Sequence, residues 1–428
     1  MGVASRTRSK LKEKEEARLK QEEDQSTSLL LNLPAEFHDE IYLRLPGESI
    51  LSLRCVCKFL LRILSEPIFI KNHVNLSIQT KNRNPKLLFS QSSRDNPPVI
   101  YSIPIDYASI SSSSLSNIVC DGAVLMNYPF ESEKTHYHQY LWSCNGLICL
   151  KISRIDTVDY DMGHMATNYF SVLNPFTRQF KEFTMQTVNT FCYGIAYGFG
   201  YDRIIDDYKL VAISDNDVPT GCSNIEVYTV RSNLRASVQG NVKYSIYSGK
   251  RSRAVFFNGG LHWLGCIRTP CGKTSPETIL CFDISNGIMA SIPLPENVTP
   301  PADFLGEVYK NLGVWGDSIC VAFVYNRVRL DVWVMLEYGV KESWMNLFTT
   351  TQLPLSNRMP FWKPLLCFDK EKFLVDYGFH LLVLLDTTNE QVKSVVVRDI
   401  TMGDNRESYV ETIASLGSST YLEKVDYK

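Results

Sequence analysis

The chain has 428 residues, 44% hydrophobic, 11% aromatic and 21% charged, with a formal net charge of −2. That is the balance of an ordinary globular protein, one large domain or two to three average ones, and it argues against a chain built to neutralise nucleic-acid phosphates. No apolar run is long enough to cross a bilayer, the first residues lack the apolar core of a secretory signal, and the 12 cysteines are scattered without a paired framework; a soluble chain with free thiols in the cytoplasm or nucleus is expected, with no nucleic acid and no membrane among its partners.

Residues 1–28 carry seven Lys/Arg and six Asp/Glu and no aromatic residue. Such a segment cannot bury enough apolar surface to offset the entropy of ordering, so a disordered charged tail is expected.

Residues 29–76 have helical periodicity. Pro34 suits a first helical turn, and Phe37, Ile41 and Leu45 then recur at four-residue spacing on one stripe. Pro46-Gly47 interrupts the pattern, Ser49 is placed to cap a second helix containing Ile50, Leu51, Leu53, Cys55 and Val56, and a third run, KFLLRILS, closes before Pro67. Three short helices make a very small core. Leu33, Ile41, Leu45, Ile50, Leu51, Leu53, Val56, Leu60, Leu61, Ile63 and Leu64 are more apolar side chains than such a bundle can hide, so some of them should meet another surface.

From about residue 77 the period becomes alternating. A strand–polar turn–strand unit recurs as FSVLNPFTRQFKEFT, IEVYTVRSNLRASV, ILCFDISNGIMASIPL, LDVWVMLEYGVKESWMNLF and LLVLLDTTNEQVKSVVV, with turns near Asn174, Val230, Asp283, Glu337 and Asp386. The gaps of about 50 to 56 residues match kelch-type blades. A second unit precedes several of these: CNGLICL, FNGGLHWLG, WGDSICVAF and, more weakly, FDKEKFLVDY, where Gly146, Gly260 and Gly316 are read as positive-φ turn residues. Two strand pairs per period make a four-stranded blade. Residues 77–428 are therefore read as a propeller of six or seven blades, with a β-sandwich pair as the alternative because residues 77–140 are irregular. The fold class is mostly β with a small all-α N-terminal domain.

Catalytic signatures are scarce. There is no GxSxG, HExxH, CxxC or GxxxxGK motif. The glycines of YGFGYD (Gly198, Gly200) read as close strand packing. His136, His138, Cys144 and Cys149 have ligand types suited to zinc but not its spacings, so packing is the expected role. His262 is read as a structural histidine bonded to a neighbouring blade. Trp263, Trp333 and Trp344 read as blade-packing residues, whereas Trp315 and Trp362, near turns, are candidates for a binding face. No cofactor is expected.

The first block resembles an F-box: Leu33-Pro34, Leu45-Pro46, Ser49-Ile50-Leu51, Arg54-Cys55-Val56-Cys57-Lys58 and Pro67-Ile68-Phe69-Ile70 follow the order of that family's pattern. Leu60 stands where the family commonly has Trp, and Ser52 where Arg is frequent. The remainder resembles the F-box-associated domains of a large plant family through CNGLICL, LNPFTRQF, YGFGYDRIIDDYKLV, NGGLHWL, ILCFDIS and VWVMLEYGVKESW. The resemblance implies a non-catalytic substrate receptor of an SCF-type ubiquitin ligase, docking a Skp-type adaptor and through it a cullin scaffold. It implies Leu33, Pro34, Ile41, Leu45, Pro46, Ile50, Leu51, Leu53, Val56, Cys57 and Lys58 as adaptor contacts. The alternatives are a propeller enzyme or sugar-binding protein, or an F-box scaffold acting outside the ligase. Recognition of a protein target is expected from the loops SSRDNPPVIYS, DTVDYDMGHM and SDNDVPTGCSN.

Overall fold

The computed structural model describes residues 35–79, 85–91, 99–105, 117–126, 136–159, 163–185, 195–214, 222–240, 242–247, 253–269, 273–302, 304–326, 328–353, 361–368, 371–378, 380–417 and 420. The chain divides into two compact units, residues 1–76 and 77–428.

In the first unit the three expected helices are α1 Ala35–Tyr42, α2 Gly47–Leu53 and α3 Lys58–Leu64, and a further helix, α4 Pro67–Gln79, follows them. Prolines set two of the starts. Pro46 sits at the cap position of α2 with φ −58°, and Pro67 opens α4, where its missing N–H is no loss. Ser49 was expected to cap α2; it lies instead inside the first turn, because the helix already begins at Gly47 and no side chain caps it. Two side chains satisfy orphan carbonyls between the helices. Arg54 donates from Nε and a terminal guanidinium nitrogen to the Leu64 carbonyl at the end of α3, at 3.1 and 2.6 Å, and His73 Nε2 lies 2.9 Å from the Leu45 carbonyl after α1.

The second unit is a six-bladed β-propeller. Blade 1 joins strands 86–91, 100–104 and 124–126 to the late strand 402–409; blade 2 is built from 136–144, 147–159, 163–173 and 180–184; blade 3 from 195–202, 207–214, 224–229 and 234–239. Blade 4 has a split inner strand, 243–246 and 255–257, followed by 260–268, 278–283 and 289–293. Blade 5 comprises 308–315, 318–325, 329–335 and 344–350, and blade 6 comprises 363–368, 372–378, 381–386 and 391–397. The inner strands adjoin one another round a closed ring. The ring rules out the sandwich alternative, and the sheet count resolves six or seven blades to six.

Each recurrent sequence unit is one hairpin of a blade. CNGLICL forms the first, turning through Asn145-Gly146 with φ 51° and 81°, the pair of positive values that a two-residue type I′ turn requires. The outer hairpins turn on a repeated Asx motif. Asn174, Asp283 and Asp386 each accept through Oδ1 from the backbone N–H groups two and three residues on. Gly260, expected as a turn residue, opens a strand instead; the positive φ belongs to Asn258-Gly259, and a Cβ on Gly260 would meet Cys281 Sγ at 2.8 Å.

The ring is fastened at both ends of the chain. Strand 402–409 supplies the inner strand of blade 1, and strand 117–120 adds in parallel to the outer edge of blade 6. Residues 411–416 then run along blade 2: Asn174 Nδ2 donates to the carbonyls of Thr412 and Ala414, and Thr412 Oγ1 donates to that of Asn145. Blade interfaces form the core. Ala196, Val211, Leu261, Trp263 and Phe282 close blade 3 on blade 4, and Gly198 lets them approach, since a Cβ there would lie 2.6 Å from Ala254 Cβ. Trp315 and Trp362 are core residues too, contrary to the expectation of a binding face. They stack at 5.9 Å between blades 5 and 6, because flat aromatic faces fill the space between two sheets.

Candidate docking surfaces

The small unit has its amphipathicity turned outward at α1. His38 and Tyr42, four residues apart, are buried, and the His38 ring meets Phe59 edge-on at 5.6 Å. Phe37 and Ile41, also four apart, lie on the exposed side; Ile41 is 46% accessible. The apolar stripe read from sequence is therefore present, but it is the outer face, and the bundle fills its interior with an imidazole and a phenol. Burial pushes the Tyr42 phenol above its usual range.

The remaining expected contact residues divide. Val56, in the turn after α2, is 69% exposed, and Pro46 and Lys58 are exposed too. Leu45, Leu51, Leu53 and Cys57 are half-buried. Leu33 and Pro34 lie outside the described residues. Ile50 is different: at 0% exposure it sits inside the bundle with Leu60 and Leu64, so it supports the face without belonging to it. Leu60, at the position where the resemblance led one to expect Trp, is likewise a core side chain. Two exposed apolar residues absent from the expected set, Leu61 and Ile68, extend the surface. The signal for them was their place one residue from the buried Leu60 and Phe69, a step that turns a side chain away from the buried face.

In the large unit, strand direction sorts the loops. Strands alternate up and down within each blade, so first–second and third–fourth connections share one end and second–third connections share the other. Each of the three loops expected to bind a target is a second–third connection, joining 86–91 to 100–104, 147–159 to 163–173, and 207–214 to 224–229. They leave adjacent blades 1, 2 and 3 at the same end of the propeller. The loop tips lie outside the described residues. In blade 2 the middle strands have 13 and 11 residues, against 8 and 6 in blade 3, so this hairpin extends further along the strand direction.

A cavity of about 930 Å³ lies at the propeller axis, lined by residues from every blade, including Glu407, Trp142, Phe199, Val255, Asn311 and Lys363. No histidine lines it among the described residues, and its Glu407 carboxylate is bound by Lys363 Nζ at 2.5 Å. The described histidines are elsewhere. His262 is fully buried, with Nε2 2.6 Å from Tyr338 Oη of blade 5; burial lowers its pKa to about 4. Cys144 and Cys149 are buried thiols whose pKa values desolvation raises. The side chains of His136 and His138 lie outside the described residues.

Family models match both units: an F-box domain over residues 30–72 and an F-box associated beta propeller domain over residues 100–427. The chain belongs to the F-box proteins with an F-box-associated propeller. Among its relatives, F-box protein CPR1 of Arabidopsis thaliana is 25% identical over 421 residues, covering 93% of this chain and 92% of that protein. The F-box/kelch-repeat protein At3g23880 of the same plant is also 25% identical, covering 90% and 96%. Among solved structures, a mutant of Trypanosoma rangeli sialidase displaying trans-sialidase activity is similar with a TM-score of 0.38 and 9% identity, over 64% of this chain and 52% of that one. An F-box domain implies a Skp-type adaptor as partner in general. No helix among the described residues is long and apolar enough to cross a membrane.

Proposed function

We propose that this F-box protein is the substrate-recognition subunit of an SCF-type ubiquitin ligase. Residues 29–76 dock a Skp-type adaptor and, through it, a cullin; residues 77–428 bind a target protein for ubiquitination. Residues 1–28 act as a charged tail, and the complex works in the cytoplasm, the nucleus or both. The observation that carries the reading is the inverted α1, which buries His38 and Tyr42 while leaving Phe37 and Ile41 open. Apolar side chains at helical spacing on an open face gain about 25 cal/mol for each Å² they remove from water when a partner covers them.

The docking set is Leu33, Pro34, Ile41, Leu45, Pro46, Leu51, Leu53, Val56, Cys57 and Lys58, widened by Phe37, Leu61 and Ile68, with Ile50 holding them from within. The chain has no catalytic part in the reaction, since ubiquitin transfer is done by a conjugating enzyme that the complex recruits. The target is bound by the loops at the second–third end of blades 1 to 3. Co-purification tests the reading: the full chain expressed with a Skp-type adaptor and a cullin should return a three-component complex. Folded chain that retains neither partner would overturn it, and adaptor without cullin would favour a scaffold outside the ligase.

A further inference from the structure

Charge is spread unevenly along this chain. Residues 227–276 contain eight Lys/Arg and no Asp or Glu, in a protein whose net charge is −2. Three of those cations meet at the second–third end of blade 4. Lys243 opens the inner strand directly opposite Arg268, the last residue of strand 260–268. Lys273 lies in the connection that follows, held beside Arg268 by a 2.9 Å hydrogen bond from the Thr269 N–H to the Lys273 carbonyl. Arg268 and Lys273 are exposed, and Lys243 is half-buried.

Like charges directly opposite on a sheet destabilise it, so the Lys243–Arg268 pairing gains from an anion lying over both. The next carboxylate along the chain, Glu277 at the end of the same connection, is already bonded by Lys310 of blade 5. Neither Arg268 nor Lys273 pairs with a carboxylate among the described residues. An apolar side chain stands on the neighbouring blade at this same end. Leu305, three residues before the inner strand of blade 5, is 99% exposed. Phe304 beside it packs edge-on against Tyr325 at 5.3 Å, which fixes the segment while the leucine faces outward.

We propose that the second–third end of blades 4 and 5 binds an acidic segment of the target protein, a run of Asp and Glu around one apolar residue. The carboxylates lie against Lys243, Arg268 and Lys273, and the apolar residue covers Leu305. Complementary charge speeds the encounter and fixes the register. Leu305 favours a polypeptide, because a nucleic-acid backbone meets the cations and leaves the leucine uncovered. The inference rests on the reading that this end of the propeller receives the target, and it adds blades 4 and 5 to the loops of blades 1 to 3.

The probe is a fluorescein-labelled peptide of mixed Asp and Glu around a central Leu, titrated into the full chain and followed by anisotropy. It should bind saturably and at least tenfold more tightly than the same peptide with Asn and Gln in place of the acids. Arg268→Glu with Lys273→Glu should lose at least tenfold. Arg203→Glu, which reverses an exposed cation at the other end of the propeller, should lose nothing. Leu305→Ser should erase the preference for this peptide over one with Ser in place of Leu. Should the double reversal fail to fold in a circular-dichroism melt, Arg268→Gln with Lys273→Gln makes the same comparison. Adaptor co-purification is scored separately: its failure counts against the ligase reading alone, because peptide binding reads this surface without the adaptor. Equal binding of the acidic and amide peptides, an equal loss in Arg203→Glu, or no saturable binding would each overturn the proposal. So would displacement of the peptide by a lower concentration of single-stranded oligonucleotide, or tenfold tighter binding of a phosphoserine peptide of equal charge.

Discussion

Ile41 and Ile50 show what a sequence pattern can and cannot separate. Both are branched apolar residues in adjacent short helices, and both belong to the expected contact set, yet one is 46% exposed and the other 0%. Periodicity marks a stripe as apolar; which side of the bundle it faces depends on what fills the interior, here His38 and Tyr42. The two residues should therefore fail differently. Ile41→Asp and Val56→Asp are expected to weaken adaptor binding by tens to a thousandfold in calorimetric titration, with the melting curve of the chain unchanged. Ile50→Ala is expected to cost about 2–5 kcal/mol of stability by opening a cavity, read from urea unfolding of the small unit.

His262 gives a pH dependence with a fixed sign. Its folded pKa of about 4 lies below the ordinary histidine value, so the unfolded chain binds the proton more readily. The neutral, buried ring costs nothing above pH 6.5. Between pH 6.5 and 4 stability should fall, by about 3 kcal/mol in total at 1.36 kcal/mol per unit, and become level below that range as far as this residue is concerned. His262→Gln, which cannot be charged, should remove this part of the slope in urea titrations at stepped pH; an unchanged slope would contradict the assignment.

Hairpins were the most legible elements. Asn174, Asp283 and Asp386 announce turns through local chemistry, because an Asx side chain bonds the backbone two and three residues on. The closing strand 402–409 was not legible. Its partner strand 86–91 is remote in sequence, its residues MGDNRESY are largely polar, and one of them, Arg406, is fully buried against Asp376 of blade 6. A buried ion pair replaces the apolar alternation that would have given the strand away. Removing one partner leaves the other charge uncompensated, so Arg406→Ala is expected to destabilise the propeller by about 3–5 kcal/mol in urea unfolding. Gly198→Val should also destabilise, by about 1–3 kcal/mol, because its side chain would enter the packed contact with Ala254 and Trp263.

For the molecule as a whole, the sequence carried the division into a helical block and a propeller because the period changes from helical to alternating near residue 77. It could not carry closure, which depends on residues 117–120 and 402–409 meeting blades from the opposite end of the chain. The claim on which the function depends is that the face of α1 and the Val56 turn is completed by another polypeptide. Isothermal titration of a purified Skp-type adaptor into the full chain, wild type against the Ile41→Asp/Val56→Asp double variant, measures this directly. Saturable one-to-one binding by the wild type and a loss of at least a hundredfold in the still-folded variant is the expected result; equal affinities, or no binding by either, would contradict it.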